Sequence, residues 1–291
     1  MNAVISRQKT RGSKRFQSVR ARNGEALSYD QIRSVAPSAF ADHAWEEVSE
    51  SYGFLPTVAV IDELRRNELV PVYASQSLVR VEGKQPFAKH LLRFRRQADL
   101  YVEHRAQEII LVNSHDRSTS YIFMAGVLEL ACENGLIVCS DAIESFKARH
   151  SKRVVEDALA RSLDVVKAFP QVQAQIEDFR AIELSPRIQQ AFAQAAISTR
   201  FDVETTAVEV DRVLQPLHRE HADPSLWSTF QTVQSHLVEQ GVATRNRESG
   251  RRNRSRPINA IQNNVKLNQA LWQLAEVVRN EVRAAQQPAA A

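Results

Sequence analysis

The stretch Gln107-Glu-Ile-Ile-Leu-Val-Asn-Ser-His-Asp-Arg-Ser-Thr-Ser-Tyr121 places a strand-like apolar run directly before a dense polar segment. The run is rich in Ile, Leu and Val, which favours an extended and buried strand over residues 107–113. A second apolar run begins at Tyr121. Because functional side chains are often carried on short segments between core elements, residues 113–118 are the first candidate site. A hydrogen-bonded turn is the structural alternative, since Asn, Ser and Asp also build such turns.

The pattern upstream predicts a sheet with one packed helix. Thr57 is a suitable N-cap for a helix over residues 58–67, where Val58, Ile61 and Leu64 share a face. Further predicted strands cover residues 69–75, 76–81 and 89–97. In the last of these, His90, Leu92, Phe94 and Arg96 alternate with Leu91, Arg93, Arg95 and Gln97, so neither face is cleanly apolar.

Downstream of Tyr121 the spacing of apolar residues predicts mainly helix. A helix is expected over residues 121–133, with Asn134-Gly135 as its stop signal, followed by an extended run at 136–139. Residues 141–240 are expected to be almost wholly helical, with breaks near Pro170, Pro186, Pro216 and Pro224. Residues 241–258 are predicted to form a Gly- and Arg-rich loop. The expected core positions of a last helix are Val265, Leu267, Leu271, Leu274 and Val277.

The fold class expected from these elements is α+β. An antiparallel-rich N-terminal sheet with a packed helix precedes a mainly helical C-terminal region. We expect a flexible basic arm over residues 1–35, an α+β core over 36–140, and a helical region over 141–285 that packs with the core as one domain.

Composition excludes several functional classes. No apolar run approaches the roughly 18 residues of a membrane span, so no membrane partner is expected. The two cysteines, Cys132 and Cys139, are too few for a disulfide scaffold and fit a reducing cytoplasm. No phosphate-binding loop, dinucleotide turn or nucleophile elbow is present. We therefore expect no cofactor, and no ligand spacing supports a metal site.

The positive charge is concentrated in two short tracts. Residues 7–22 carry seven Lys or Arg and residues 245–256 carry six Arg, leaving 25 basic residues against 33 acidic ones in the rest of the chain. Basic tracts on an acidic body are typical of segments that grip a polyanion, with solvated disorder as the alternative. The residues predicted to contact nucleic acid are Arg11, Lys14, Arg15, Arg93, Arg95, Arg251, Arg252 and Arg254. Phe94 could stack on a base, although a half-exposed edge strand kept soluble by charge explains residues 89–96 better unless this strand lies beside Asn113.

The candidate catalytic residues are Asn113, His115, Asp116 and His150. His115 and Asp116 could act as acid–base or metal-binding groups. Adjacent residues of a strand point to opposite faces, however, so the two are not expected to touch unless a turn intervenes.

Seven short motifs are distributed over roughly residues 35–280: Ala36-Pro-Ser-Ala-Phe-Ala, Ser51-Tyr-Gly-Phe-Leu-Pro-Thr57, Lys89-His-Leu-Leu-Arg-Phe-Arg95, Asn113-Ser-His-Asp116, Cys132-Glu-Asn-Gly-Leu136, Arg149-His150 and Asn268-Gln-Ala-Leu-Trp272. Through these motifs the chain resembles the phage/plasmid-like proteins catalogued as domain of unknown function 932. The resemblance implies an origin in a phage, prophage or plasmid and supplies no activity. It directs attention to Asn113, His115, Asp116, Asn134 and His150.

Three functional hypotheses follow from the sequence. The first is a mobile-element protein that binds DNA, in particular single-stranded DNA, during recombination, replication or maintenance. A loose likeness in outline to single-strand annealing recombinases, which often form rings, points the same way by analogy. The second is an enzyme acting on nucleic acid or nucleotide, and the third is an interaction protein that antagonises host defence. The sequence leaves both catalysis and the oligomeric state open, a homo-oligomer included.

Overall fold

A seven-stranded antiparallel sheet forms the centre of the N-terminal half. The computed structural model describes residues 16–46, 54–129, 134–138, 146–148, 160, 164–258 and 260–286. The strands are β1 (Phe16–Arg20), β2 (Leu69–Ser77), β3 (His90–Arg96), β4 (Arg105–Asn113), β5 (Tyr121–Glu129), β6 (Asn134–Val138) and β7 (Phe146–Ala148). Their order is β1-β2-β3-β4-β5-β6, and β7 pairs with the first residues of β5.

The strand β5 corrects the prediction of a helix over residues 121–133. Tyr121, Phe123, Met124 and Leu128 are all buried, so both faces of the strand are covered. A strand covered on both faces shows no alternation of polar and apolar residues, and such a run cannot be told from a buried helix by periodicity. The supposed helix stop at Asn134 is instead the first residue of β6, which pairs with Glu129.

The helices pack with one face of this sheet into the main core. They are α1 (Tyr29–Val35), α2 (Thr57–Arg66), α3 (Phe169–Ala181), α4 (Pro186–Arg200), α5 (Val210–Val213), α6 (Leu226–Gln234) and α7 (Ile261–Gln286), with a π-helical turn Ser235–Gln240 after α6. The core contains Phe94 and Phe123 from the sheet together with Phe179, Phe230 and Trp272 from the helices. The predicted α+β class, with an antiparallel N-terminal sheet and a mainly helical C-terminal region, is confirmed.

Two prolines predicted to break helices lie in the first turns of helices instead. Pro186 is the first residue of α4, and Pro170 is the second residue of α3. A proline costs nothing there because its missing N–H would have no partner within the helix. The Ser185 hydroxyl accepts a hydrogen bond from Ile188 N and caps α4.

Several predicted boundaries need correction. The flexible arm predicted over residues 1–35 contains β1 and α1, and residues 69–81 hold one strand, β2, rather than two. Residues 141–240, which are predicted to be almost wholly helical, include β7 and a short strand, β8 (Thr206–Val208). At the C-terminus, Leu267 and Leu271 of α7 are buried as predicted, whereas Val277 is 56% exposed.

The Gly- and Arg-rich segment 241–258 is a β-hairpin rather than a loop. Strands β9 (Ala243–Asn246) and β10 (Arg252–Arg254) pair with each other, and β9 pairs with β8 to give a second, three-stranded sheet. Gly241 enters the hairpin with φ +69°, and a Cβ there would lie 2.0 Å from the Ser255 carbonyl oxygen. Glycine is therefore required by both the backbone conformation and the close approach.

Candidate functional site

The polar segment 113–118 divides into a buried part and an outer turn. Asn113, Ser114 and His115 have no exposed surface. The chain then turns outward at Asp116, whose Oδ1 accepts a hydrogen bond from Ser118 N at 2.9 Å. The segment is thus a core element followed by a side chain-capped turn.

The buried part belongs to a polar cluster at one end of the sheet. The residues of this buried polar cluster are Ser38, Thr57, Gln76, His90, Asn113, His115 and Tyr121, and all have a relative exposure of 0%. Strands β2 to β5 supply four of them, the start of α2 supplies Thr57, the turn Pro37–Phe40 supplies Ser38, and His115 follows β4. Antiparallel pairing places His90 directly opposite Asn113, which brings the two side chains to the same face.

Thr57 is the centre of this cluster. Its Oγ1 lies 2.9 Å from His90 Nε2, 3.0 Å from Tyr121 OH and 3.3 Å from His115 Nε2, and it accepts a hydrogen bond from Asn113 Nδ2 at 3.0 Å. The prediction that the Thr57 hydroxyl caps α2 is wrong. Pro56 is the N-cap and Thr57 the first helical residue, without a side-chain cap. The hydroxyl serves the tertiary network instead.

The hydrogen bonds of Gln76 and Ser38 determine which ring nitrogen of His90 carries the proton. Gln76 Nε2 donates to the Gln85 carbonyl, and Gln76 Oε1 accepts from Ser38 N, so the amide has one orientation. The Ser38 hydroxyl donates to the same Oε1 at 2.7 Å and must therefore accept from His90 Nδ1, 2.8 Å away. His90 thus carries its proton on Nδ1, and its Nε2 accepts a hydrogen bond from Thr57.

Burial keeps this imidazole neutral. It lowers the pKa of His90 to about 4, against a partial offset from the Ala88 carbonyl and the Asp116 carboxylate. A second imidazole, that of His115, lies 5.5 Å away between ring centroids. Protonating His90 would place a charge in the core and remove the acceptor that Thr57 uses.

The described catalytic candidates differ in their access to solvent. Asn113 and His115 are enclosed, so neither can touch a substrate in this conformation. Asp116 lines a solvent-open depression, and its Oδ2 lies 3.4 Å from Lys84 Nζ. Burial would raise the pKa of Asp116, but hydrogen bonds from Ser118 and Ser114 and the Lys84 charge hold it below the usual value. His150, the fourth candidate, lies outside the described residues.

The expectation that Arg93 and Arg95 form an exposed basic strand is wrong. Each is 5% exposed, and both guanidinium groups pair with the fully buried Glu108 on the neighbouring strand β4. Burial alone would raise the pKa of Glu108, but Arg93, Arg95 and Arg20 lower it and keep the carboxylate charged. Phe94 points into the main core on the opposite face and is not available to stack on a base.

We call residues 243–256 the arginine hairpin; it contains strands β9 and β10. The charge pattern of the sequence predicts that its arginines are exposed. All six of its arginines, Arg245, Arg247, Arg251, Arg252, Arg254 and Arg256, are exposed. Arg245 is directly opposite Arg252, and Arg254 lies on the same face because it is two residues further along β10. Within the described part of the chain, no carboxylate forms an ion pair with these six side chains.

The family is established by comparison with known proteins. A family model described as "Domain of unknown function (DUF932)" matches residues 44–272. The chain belongs to the DUF932 family. It is similar to two Escherichia coli (strain K12) proteins, UPF0380 protein YafZ and UPF0380 protein YfjQ. Each is 32% identical over 262 residues, which cover 90% of this chain and 95% of the relative. No solved structure matches the chain.

The motifs of this DUF932 chain converge in three dimensions. Ser38, Thr57, His90 and the Asn113–His115 pair come from four separate sequence motifs and meet in the buried polar cluster. Sequence reasoning selected Asn113 and His115 but missed the other members. The available signal was the strand periodicity of β3, since His90 lies on the same face as Leu92 and Phe94, which are core residues.

The described residues of the DUF932 chain offer no metal site and no membrane span. They contain no group of three or more His, Cys, Asp or Glu side chains arranged to hold a metal ion. None of their helices combines the length and apolarity needed to cross a bilayer. The predicted contacts Arg11, Lys14 and Arg15 lie outside the described residues, as do Cys132 and Cys139.

Proposed function

We propose that this protein binds nucleic acid, in particular DNA, through the arginine hairpin. The observation that carries the proposal is the cross-strand pair Arg245 and Arg252, with Arg254 on the same face. Like charges directly opposite each other destabilise an antiparallel ribbon. The arrangement is therefore unfavourable for the isolated fold and favourable for a surface that meets a line of phosphates.

The geometry of the hairpin suits a polyanion better than a single small anion. Arg245 and Arg252 occupy neighbouring strands about 5 Å apart, and Arg254 lies about 7 Å further along. Each strand of a duplex carries one phosphate per about 3.4 Å of helix axis, so a row of arginines of this length lies beside more than one phosphate. Arg11, Lys14 and Arg15 enter the proposal on sequence alone, as additional contacts from the N-terminal tract.

The enclosure of the buried polar cluster argues against the enzyme hypothesis in which Asn113 and His115 are catalytic residues. A general base must approach within hydrogen-bond distance of the proton that it removes, and neither Asn113 nor His115 reaches solvent. Binding through an exposed surface needs no such access. If this protein shares the origin of the phage and plasmid proteins that it resembles, its DNA binding would serve recombination, replication or maintenance of a mobile element.

The test is fluorescence anisotropy with a labelled oligothymidylate and with a duplex across a salt series. Each phosphate contact contributes about 0.7 to the slope of log K against log salt for single strands and about 0.9 for duplex DNA. Replacing Arg245, Arg252 and Arg254 by Gln should therefore reduce the magnitude of the slope by about 2 for the single strand and about 2.7 for the duplex, and it should weaken binding at every salt concentration.

A matched control removes the same charge elsewhere. Arg180, Arg187 and Arg219 are exposed arginines outside the hairpin, and their triple Gln variant should retain the wild-type slope. Equal losses in the two triple variants would assign binding to net charge rather than to the hairpin. Absence of binding to either form of DNA at low salt would overturn the proposal.

A further inference from the structure

A solvent-open depression lies beside the outer turn of the polar segment. Its volume is about 290 Å³, and it is lined by residues from the end of β2, the connection to β3 and the turn after β4: Ser77, Val79, Arg80, Val81, Lys84, Lys89, Asp116 and Ser118. Neither the arginine hairpin nor the buried polar cluster contributes a side chain to it. It is therefore separate from the surface on which the proposed function rests.

The charges around this depression are unbalanced. Arg80, Lys84 and Lys89 line it, against the single carboxylate of Asp116. That carboxylate is already engaged by Ser118 N at 2.9 Å and by Lys84 Nζ at 3.4 Å. Two positive charges, on Arg80 and Lys89, have no carboxylate within ion-pairing distance among the described residues.

Lys89 is a partly buried cation whose hydrogen-bond partner is neutral. Its Nζ donates to Gln262 Oε1 at 3.2 Å, a neutral acceptor on the first turn of α7. Burial lowers the pKa of Lys89, the Lys266 ammonium lowers it further, and Asp116 offsets only part of this effect. An anion in the depression would stabilise the charged lysine, since it would supply the opposite charge that the protein lacks.

The neutral donors fit an oxyanion. Ser77 lines the same depression and offers a hydroxyl group. Each lysine ammonium has three N–H donors, and the contacts of Lys84 with Asp116 and of Lys89 with Gln262 use only one of them. Tetrahedral phosphate oxygens accept hydrogen bonds from such mixed sets of ammonium and hydroxyl groups. The volume suits a phosphate with part of its attached sugar rather than a large apolar ligand.

We propose that the depression lined by Arg80, Lys84 and Lys89 binds a phosphate group of the nucleic-acid strand. The identity of the phosphate as part of a nucleic acid rests on the proposed function. The presence of an anion-binding site in the depression does not. In the sequence, only residues 257–260 separate the arginine hairpin from α7, whose Gln262 contacts Lys89. The two surfaces are thereby linked through the start of α7.

The experiment measures affinity and local protection on the full-length protein. The Lys84→Gln/Lys89→Gln variant should bind oligothymidylate about tenfold more weakly at physiological salt, with the magnitude of the salt slope reduced by about 1.4. Arg80→Gln alters an exposed side chain that has no ion-pair partner among the described residues, so it should reduce the magnitude of the salt slope by about 0.7 without affecting folding. Arg180→Gln/Arg187→Gln serves as the charge-matched control.

Lysine acetylation followed by mass spectrometry supplies a second readout. Saturating oligothymidylate should slow the labelling of Lys89 several-fold in the wild type, while Lys167, an exposed lysine far along the chain, should be labelled at an unchanged rate. Unchanged labelling of Lys89 in the saturated complex, with a wild-type slope in the lysine variant, would overturn the inference and leave the hairpin proposal standing.

Two further ligands separate failure of this inference from failure of the proposed function. Thymidine monophosphate and inorganic phosphate are added in place of the oligonucleotide. Protection of Lys89 by these ligands without any DNA binding would retain a phosphate site but overturn the nucleic-acid source. No protection by any of the three ligands would overturn the site itself.

Discussion

The buried imidazole of His90 predicts a defined loss of stability in mild acid. Its pKa is about 4 in the folded protein against an ordinary value of 6.5, because burial disfavours the charged ring. The unfolded chain therefore binds more protons than the folded chain between these two values, and the free energy of unfolding must fall as the pH falls. The contribution is fully present above pH 6.5, lost progressively down to pH 4, and unchanged below that.

The magnitude follows from the same two pKa values. A pKa that differs by this amount between the folded and unfolded states is worth about 3 kcal/mol at 25 °C. No discount for solvent screening applies, since the His90 side chain is fully buried. A loss of this size is a large fraction of the stability of a typical domain, so the midpoint of urea unfolding should shift visibly.

The assay is urea unfolding from pH 8 to pH 4 on the wild type, His90→Gln and His104→Gln. Carboxylates also titrate near pH 4, but they contribute equally to all three proteins. The difference between wild type and His90→Gln should shrink by about 3 kcal/mol across the window. His104→Gln, which alters an exposed histidine, should follow the wild-type curve.

Nuclear magnetic resonance of the wild-type imidazoles tests the same reasoning without a variant. Long-range proton–nitrogen correlations should show His90 neutral and protonated on Nδ1 at pH 7, as the contacts from Gln76 and Ser38 require. Titration of His90 near pH 6.5 in the folded protein, or a proton on Nε2, would refute the argument from burial and network geometry.

Two substitutions probe the buried polar groups directly. Thr57→Val should lower the free energy of unfolding by about 2–4 kcal/mol in urea titrations, because it leaves His90 Nε2 and Asn113 Nδ2 buried without their partner. Thr57→Ser keeps the hydroxyl and should lose less than half of that. Equal losses in the two variants would show that the hydroxyl does not stabilise the fold. Glu108→Gln should cost about 3–5 kcal/mol, since it leaves the guanidinium groups of two buried arginines uncompensated, and a loss below about 1 kcal/mol would show that the carboxylate is not needed.

The sequence pattern predicted strand β4 but not strand β5, although both strands are buried on both faces. Strand β4 was recognisable because its apolar run ends abruptly at Asn113. Strand β5 was not, because neighbours on both edges and packing on both faces remove the alternation that distinguishes a strand. The segment 241–258 was assigned to a loop for a related reason. Its arginines would be exposed in a loop as well as in a hairpin, so the polarity of the segment does not indicate whether its strands pair.

Only part of the candidate site can be predicted from the sequence, because the rest depends on the register of strand pairing. Asn113 and His115 stand out as polar residues after an apolar run. Thr57 and His90 join them only through the pairing of β3 with β4 and the position of α2, which no local pattern specifies. The error on Arg93 and Arg95 has the same origin. Their burial depends on Glu108 lying on the adjacent strand, which converts an apparently exposed charged face into an internal ion-pair group.

This separation of buried and exposed polar groups determines how functional variants should be interpreted. Substituting His115 or Asn113 perturbs a fully enclosed network, so a loss of function in the cell would reflect a smaller folded fraction rather than a lost catalytic group. Substituting Arg252 or Lys89 changes surface charge and should leave the unfolding curve almost unchanged. A nucleic-acid role therefore requires binding losses without stability losses. If the two kinds of loss always occurred together, the hairpin and the depression would be parts of the folded scaffold and not of a binding surface.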